Sequence, residues 1–132
     1  MATPNVELLR DVLQEIEYSP NYWSPDVIAY CEDDEWGIVT YGFEGHVIAL
    51  THPDAVWHWV SQRDSLSSDK FGYGRFAVLV SVDGSRKKPG RSASYVARKL
   101  LGLDAAQADR LFGARTVDEV RRIVGELCDG AP

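Results

Sequence analysis

The chain has 132 residues, of which 45% are hydrophobic and 26% charged, and its formal net charge is −6. This length suits one domain with a sizeable core, and this composition argues against a disordered or fibrous class. No apolar stretch approaches the roughly 18 residues that a membrane helix needs, and no basic-then-apolar leader is present. We therefore predict a single cytoplasmic domain, residues 1–132, without a membrane partner.

Charge is distributed unevenly along the chain. Residues 1–69 carry 13 acids against two bases, a net charge of −11, whereas residues 70–132 carry 12 bases against seven acids, a net charge of +5. The bases are densest between Lys70 and Lys99, just before the C-terminal helices. Such asymmetry can mark an anionic partner, but it can also bring the two halves of one fold together. We favour the second explanation, in which the acidic and basic halves of the chain pack against each other.

An amphipathic helix is predicted near the N-terminus, over about residues 4–17. Thr3 and Pro4 are typical of a helix start. The apolar residues that follow recur at helical spacing and would form one buried stripe: Val6, Leu9, Val12, Leu13 and Ile16. The next segment, residues 18–25, contains two prolines and three aromatics, which favours an extended connector.

Two aromatic side chains of this connector, Tyr22 and Trp23, are candidates for a partner surface. Tyrosine and tryptophan are common anchors at protein interfaces, although the plainer alternative is that they cover the edge of the core. Basic residues before the C-terminal helices complete this candidate surface: Arg86, Lys87, Lys88 and Arg91.

The middle of the chain is ambiguous between helix and strand. Residues 39–50 fit either a helix face or a hairpin whose arms flank a Gly-Phe-Glu-Gly turn, and propensity slightly favours the hairpin. Residues 54–61 are predicted to form a short helix after a proline. Residues 76–82 are the strongest strand candidate, because they are rich in valine and end at an Asp-Gly turn signal. A lone strand needs a partner, so a small sheet with 38–50 or 57–60 is an open alternative.

Residues 92–128 are predicted to form a unit of three short helices. Gly102 stands where a left-handed residue would end the first helix. Two capping-box signals, Asp104 with Gln107 and Thr116 with Glu119, begin the second and third helices. Their apolar residues are expected to be buried together, among them Leu100, Leu111, Phe112 and Ile123. The predicted fold is a mainly α domain with one small β element near 76–82, and α+β is the alternative.

Three segments carry a resemblance to a known group of proteins. They are Leu9-x-x-x-Leu13-x-x-Ile16-Glu17 followed by Pro20 and Trp23, Tyr41-Gly-Phe-Glu-Gly45-His46-Val-Ile-Ala-Leu50, and Ala97-x-x-Leu100-Leu-Gly-Leu103 with Ala108-x-x-Leu111-Phe112. The chain resembles a loose group of small, mostly uncharacterised actinobacterial and actinophage proteins. This resemblance implies a helical central segment, so we predict helix for 39–50. Gly42 and Glu44 stand where the group has cysteine and alanine, and the resemblance implies no particular chemistry.

The residue types that carry catalysis or bind metals form no recognisable pattern. Cys31 and Cys128 are far apart and match no metal or redox spacing. The three histidines, His46, His52 and His58, are six residues apart, which places no two of them on one helix face as an i, i+4 metal pair would be. A pair of Cys31 with His46 or His52 has no local context that favours it. We predict no catalytic residue, no metal site and no cofactor.

The C-terminal helices also have the order of a helix-turn-helix, which is the alternative function. Over residues 92–127, the second helix would read bases with Gln107 and Arg110, while Arg98 and Lys99 would hold phosphates. Two aspartates on the same helix and the acidic charge of the whole chain oppose this alternative.

The favoured function is a small non-enzymatic interaction or regulatory protein that binds another protein. The absence of an arranged nucleophile, metal set or phosphate loop supports it. A small enzyme with a dispersed site ranks third, and nucleic acid is the less favoured partner. The sequence predicts neither the identity of the partner nor the oligomeric state.

Overall fold

Strands that are far apart in the sequence pair into one antiparallel sheet. The computed structural model describes residues 3–27, 29–32, 39–59, 75–83 and 90–130. Within these ranges the strands are β1 (Tyr30–Glu32), β2 (Val39–Tyr41), β3 (Val56–Trp59), β4 (Arg75–Ser81) and β5 (Arg91–Ser92).

The same part of the chain contains five α-helices. They are α1 (Val6–Tyr18), α2 (Phe43–Thr51), α3 (Ala93–Leu101), α4 (Ala105–Phe112) and α5 (Val117–Asp129). A 3-10 turn, Pro20–Tyr22, follows α1. No helix of the described ranges is long and apolar enough to cross a membrane.

Local signals begin and end the C-terminal helices as the sequence predicts. Asp104 and Gln107 form a complete capping box at the start of α4, and the side chain of Thr116 accepts a hydrogen bond from the backbone of Glu119 at the start of α5. Gly102 ends α3 with a φ of 67°, a left-handed conformation that favours glycine. At the N-terminus, however, the residue that caps α1 is Asn5 and not Thr3.

The sheet has the strand order β2-β1-β4-β3, and β5 also pairs with β4. The longest strand, β4, is central: its first residues pair with β1 and its remainder with β3, where Trp57 lies opposite Val80. Because β3 occupies one edge of β4 at Leu79 and Val80, β5 lies on the other edge, beyond the end of β1.

The prediction of a mainly α fold is therefore wrong, and the chain is α+β. The strand near 76–82 is present as β4, but it belongs to a five-stranded sheet and not to an isolated element. The helix predicted for 54–61 is wrong because Val56–Trp59 pairs with β4 as a strand. The helix predicted for 39–50 is correct from Phe43 onward and wrong at Val39–Tyr41, which pairs with β1.

Two hydrophobic clusters show how the layers pack. The larger joins all five helices around residues such as Leu9, Phe43, Leu101, Leu111 and Ile123. The smaller joins the sheet to the helices through Ala29, Val80, Ile48 and Ala93. Since α2 and α3 contribute to both clusters, these two helices lie between the sheet and the remaining helices.

Of the four residues expected to share the C-terminal core, two are fully inside it. Leu111 and Ile123 are buried, whereas Leu100 and Phe112 are partly buried and pack against the cluster. The ring of Phe112 stacks on that of Phe43, with 6.0 Å between centroids. The C-terminal unit therefore packs on α2 as well as on itself.

Candidate functional site

An open cavity lies where the end of α1, the 3-10 turn, β2 and α2 meet. Its volume is about 260 Å³, and we call it the His46 pocket. The side chains that line it come from all four elements: Glu15, Tyr22, Tyr41, His46, Ala49 and Leu50. It combines one carboxylate, two phenols and one imidazole with an apolar wall.

Close contact between α2 and the backbone at Ala29 sets the position of this pocket. The backbone N–H of Gly42 donates a hydrogen bond to the carbonyl of Ala29, 3.0 Å away. One helical turn along, a Cβ at Gly45 would overlap the same carbonyl oxygen. Glycine at position 45 thus lets α2 begin directly against the sheet, and His46 is held beside Tyr41 at the end of β2.

Aromatic rings lead from the sheet into the pocket. Trp57 and Tyr30 stack across β4 with centroids 5.0 Å apart, and Tyr30 meets Tyr41 edge-on at 5.5 Å. Tyr41 then contacts the imidazole of His46 at 4.9 Å. These contacts fix the ring of Tyr41, and burial raises the pKa of its phenol.

His46 is the most unusual group of the site. Its side chain is 5% exposed, and its Nε2 has no hydrogen-bond partner in the described structure. Burial lowers the pKa of His46 to about 4, and a backbone hydrogen bond with Tyr22 opposes this only in part. The imidazole is therefore neutral near pH 7, and its Nε2 is buried without a hydrogen-bond partner in the described structure.

A second buried titratable group, Glu44, lies on α2 but does not line the pocket. It is 3% exposed, and its Oε2 accepts a hydrogen bond from Ser94 Oγ at 3.1 Å. Burial raises the pKa of Glu44 to about 7, against the lowering effects of its own backbone and of Ser94. Enclosed between α2 and α3, this carboxyl joins the two helices.

The predicted partner surface is only partly brought together. Tyr22 is 51% exposed and lines the His46 pocket, while Trp23 packs against the helical core and forms a bridge with Tyr41. Arg91 is exposed on β5, which pairs with β4. Tyr22 lies next to β2, and β1 separates β2 from β4 in the sheet. The remaining members, Arg86, Lys87 and Lys88, lie outside the described residues.

The predicted DNA-reading residues already have partners within the protein. Gln107 accepts a hydrogen bond from the backbone of Asp104 through its side chain, and Arg110 forms an ion pair with Glu126 at 2.6 Å. Arg98 and Lys99 both lie over the ring of Tyr95, each 5.5 Å from its centroid. To read bases, Gln107 would have to break its hydrogen bond with Asp104, and Arg110 its ion pair with Glu126.

The cysteines and the other histidines occupy separate places. Cys31 is buried in β1, whereas Cys128 is half-buried near the end of α5. His58 Nε2 lies 2.7 Å from Ser81 Oγ, and His52 Nδ1 lies 2.9 Å from Thr51 Oγ1. The described residues contain no group of three or more side chains that could hold a metal ion.

Sequence reasoning missed that Glu15, Tyr41 and His46 line one cavity. One signal could have pointed to it: residues 43–50 are apolar on all sides except at Glu44 and His46, and a helix that is hydrophobic all round is buried. Polar side chains within such a helix must themselves be buried.

The chain was also compared with known proteins, and no family model, curated protein or solved structure matches it.

Proposed function

We propose that this chain is a non-enzymatic interaction domain that binds another protein over the His46 pocket. The observation that carries the proposal is the combination of two exposed apolar groups, Tyr22 and Leu50, with the cavity that they flank. They are 51% and 44% exposed, and both line the pocket above the buried His46. Tyrosine is enriched among the residues that dominate binding energy at interfaces, which favours a macromolecular partner here.

The size of the cavity also favours a protein partner. Pockets for drug-sized ligands have volumes of about 300–1,000 Å³. At about 260 Å³ and open to solvent, the His46 pocket suits a single inserted side chain better than an enclosed metabolite. Tyr18, the last residue of α1, is 87% exposed and is a second exposed tyrosine close to Tyr22 in the sequence.

The chemistry of the pocket supports binding more than catalysis. A general base works best when its pKa lies near the working pH, and the pKa of His46 is about 4. Glu44 has a pKa of about 7, but its side chain is enclosed and bonded to Ser94. Glu44 therefore does not line the pocket of His46.

A photocrosslinking side chain placed at position 22 tests the proposal in an actinobacterial lysate. The same side chain at position 95 is the matched control, because Tyr95 is a similarly exposed tyrosine on α3. We expect discrete protein adducts from position 22 that resist nuclease and are absent from position 95. Equal adducts from both positions, or none from either, would contradict the proposal. Adducts that disappear with nuclease would favour the DNA-binding alternative.

A further inference from the structure

Aromatic residues from three elements line the His46 pocket together with one carboxylate. Tyr22 comes from the 3-10 turn, Tyr41 from the end of β2 and His46 from α2, while Glu15 reaches the cavity from α1. The aromatic face of a tyrosine carries partial negative charge and attracts cations. The walls of the cavity thus combine aromatic rings with a carboxylate, a composition that favours a positively charged ligand.

The carboxylate of Glu15 is not already paired with a base of the fold. Other acids are: Glu17 pairs with Arg121, and Asp26 pairs with Arg115. Glu15 is exposed, and no ion pair among the described residues includes it. A cation that enters the cavity therefore meets a carboxylate whose charge no arginine or lysine of this part of the chain balances.

Contacts behind the cavity hold two of its rings in place. The ring of Tyr41 lies 4.9 Å from that of His46 and 5.5 Å from that of Tyr30, measured between centroids. Burial raises the pKa of the Tyr41 phenol and lowers the pKa of His46 to about 4. Both rings are therefore uncharged near pH 7, and the imidazole does not repel a cation in the cavity.

The burial of His46 Nε2 narrows the choice of cation. This atom has less than 1 Å² of accessible surface, so it offers no hydrogen bond to a ligand. A primary ammonium is strongly hydrated and has three N–H donors, each of which needs an acceptor when its water is removed. A quaternary ammonium has no N–H donor, and aromatic rings recognise it through cation–π attraction. The second kind of cation therefore suits a wall of rings and apolar side chains.

The volume of the cavity admits such a group. A trimethylammonium with its attached methylene has five heavy atoms, which need about 150 Å³ at the roughly 30 Å³ that one water molecule occupies in the liquid. The His46 pocket has about 260 Å³. It therefore holds the head group and part of the carbon stem that leads out to solvent.

Building on the proposed function, we propose that the partner protein inserts the trimethylammonium head of a methylated lysine into the His46 pocket. The head lies against Tyr22 and Tyr41, and Glu15 balances its charge. The apolar stem of the lysine covers Leu50 and Tyr22, which are 44% and 51% exposed beside the cavity. A small quaternary amine would leave these two side chains uncovered, which favours a protein as the source of the group.

Three peptides of one sequence test the inference by calorimetric titration of the full chain. Acetyl-Ala-Gly-X-Gly-Ala-amide carries trimethyllysine, lysine, or the uncharged isostere in which carbon replaces the quaternary nitrogen. We expect the trimethylated peptide to bind at least about five-fold tighter than either of the others, because lysine is more strongly hydrated and the isostere lacks the charge. Equal affinities of the trimethylated and uncharged peptides, or no saturable binding of the former up to about 5 mM, would overturn the inference.

Variants of Tyr22 test the contribution of its ring. Tyr22→Phe keeps the ring and should change the affinity for the trimethylated peptide by less than about two-fold. Tyr22→Leu keeps an apolar side chain without the ring and should weaken binding at least about three-fold. Tyr95→Leu removes a similarly exposed tyrosine of α3 and should have no effect. If Tyr22→Leu binds the peptide as tightly as Tyr22→Phe does, the inference is wrong.

A matched pair of charge variants separates the site from general attraction. Glu15→Gln should weaken the trimethylated peptide about two- to five-fold, the usual size for one exposed ion pair. Asp109→Asn changes the net charge equally at an exposed position of α4 and should have no effect. Equal weakening by the two variants would reduce the binding to unspecific attraction and overturn the inference.

Tetramethylammonium chloride distinguishes the possible sources of the head group. We expect the trimethylated peptide to bind at least about three-fold tighter than this ion, because only the peptide has a stem to cover Leu50 and Tyr22. Equal affinities would identify a small quaternary amine as the ligand and would overturn the methylated protein.

Failure of this inference is distinguishable from failure of the proposed function. If photocrosslinking from position 22 yields protein adducts while the trimethylated peptide does not bind, the interaction domain stands and the methylated lysine does not. If neither experiment yields a complex, both are wrong. If the trimethylated peptide binds and suppresses the adducts while the lysine peptide does not, both are supported.

Discussion

Ser94 Oγ donates a hydrogen bond to Glu44 Oε2 across 3.1 Å, and so joins α3 to α2 through a carboxyl that is 3% exposed. Burial raises the pKa of this carboxyl from 4.5 to about 7. His46, two residues along the same helix, has its pKa lowered from 6.5 to about 4 by the same physical cause. One short buried helix thus carries an acid and a base that both prefer to be neutral.

The first prediction concerns the pH dependence that Glu44 imposes on stability. Between pH 4.5 and about 7 the unfolded chain loses the proton of Glu44 while the folded chain keeps it, so the contribution of Glu44 to stability falls by about 1.4 kcal/mol per pH unit as pH rises. Glu44→Gln removes this term. We expect the unfolding free energy of the variant minus that of the parent, measured in urea at a series of pH values, to increase by this amount per pH unit between pH 4.5 and about 7. A constant difference would show that Glu44 is ionised in the folded state.

The second prediction is an opposite slope from His46. Between pH 6.5 and about 4 the unfolded chain takes up a proton on this imidazole and the folded chain does not, so stability is lost as pH falls. The two slopes cancel over pH 4.5–6.5 in the parent. In Glu44→Gln only the contribution of His46 remains, so the free energy of unfolding should rise with pH between 4.5 and 6.5. In His46→Phe only the contribution of Glu44 remains, so the free energy of unfolding should fall over the same range. NMR titration of the His46 ring checks the cause directly, and a midpoint near 6.5 would contradict it.

The third prediction compares two glycines within helices. A Cβ at residue 45 would overlap the carbonyl oxygen of Ala29, so Gly45→Ala must push α2 away from the sheet and should destabilise the protein by at least about 2 kcal/mol. Gly125, inside α5, has nothing within 4 Å of such a Cβ. Gly125→Ala should therefore stabilise by about 0.5–1 kcal/mol through helix propensity. Thermal melting of both variants measures the difference, and equal effects would contradict the close approach of α2.

The fourth prediction ranks two neighbours on α4. Leu111 is fully buried in the larger cluster, whereas Phe112 is partly buried and packs on Phe43 from one side. Leu111→Ala should cost about 2–5 kcal/mol, because the cavity that it leaves is enclosed. Phe112→Ala should cost less, since solvent can enter the space that the ring vacates. Chemical denaturation of the two variants gives both costs, and the reverse order would show that Phe112 is the deeper residue.

The amino-acid sequence by itself determined the C-terminal helices. The capping box of Asp104 and Gln107 and the left-handed Gly102 are where the pattern predicts them. These signals act between residues that are three or four positions apart, so they need no knowledge of the rest of the fold. Strand β4 can likewise be predicted from the sequence, because its valine-rich run and the Asp-Gly turn signal after it lie in consecutive residues.

Only the tertiary structure decided the sheet and the site. The four residues Val56–Trp59 suit helix or strand, and they form β3 because β4 lies beside them. Likewise, Glu15 of α1 reaches the pocket of His46 through the packing of two helices, and Glu44 meets Ser94 although the two are 50 positions apart. Helix caps are stabilised within one turn of chain, whereas strand pairs and buried polar contacts form between segments whose proximity depends on every other segment folding.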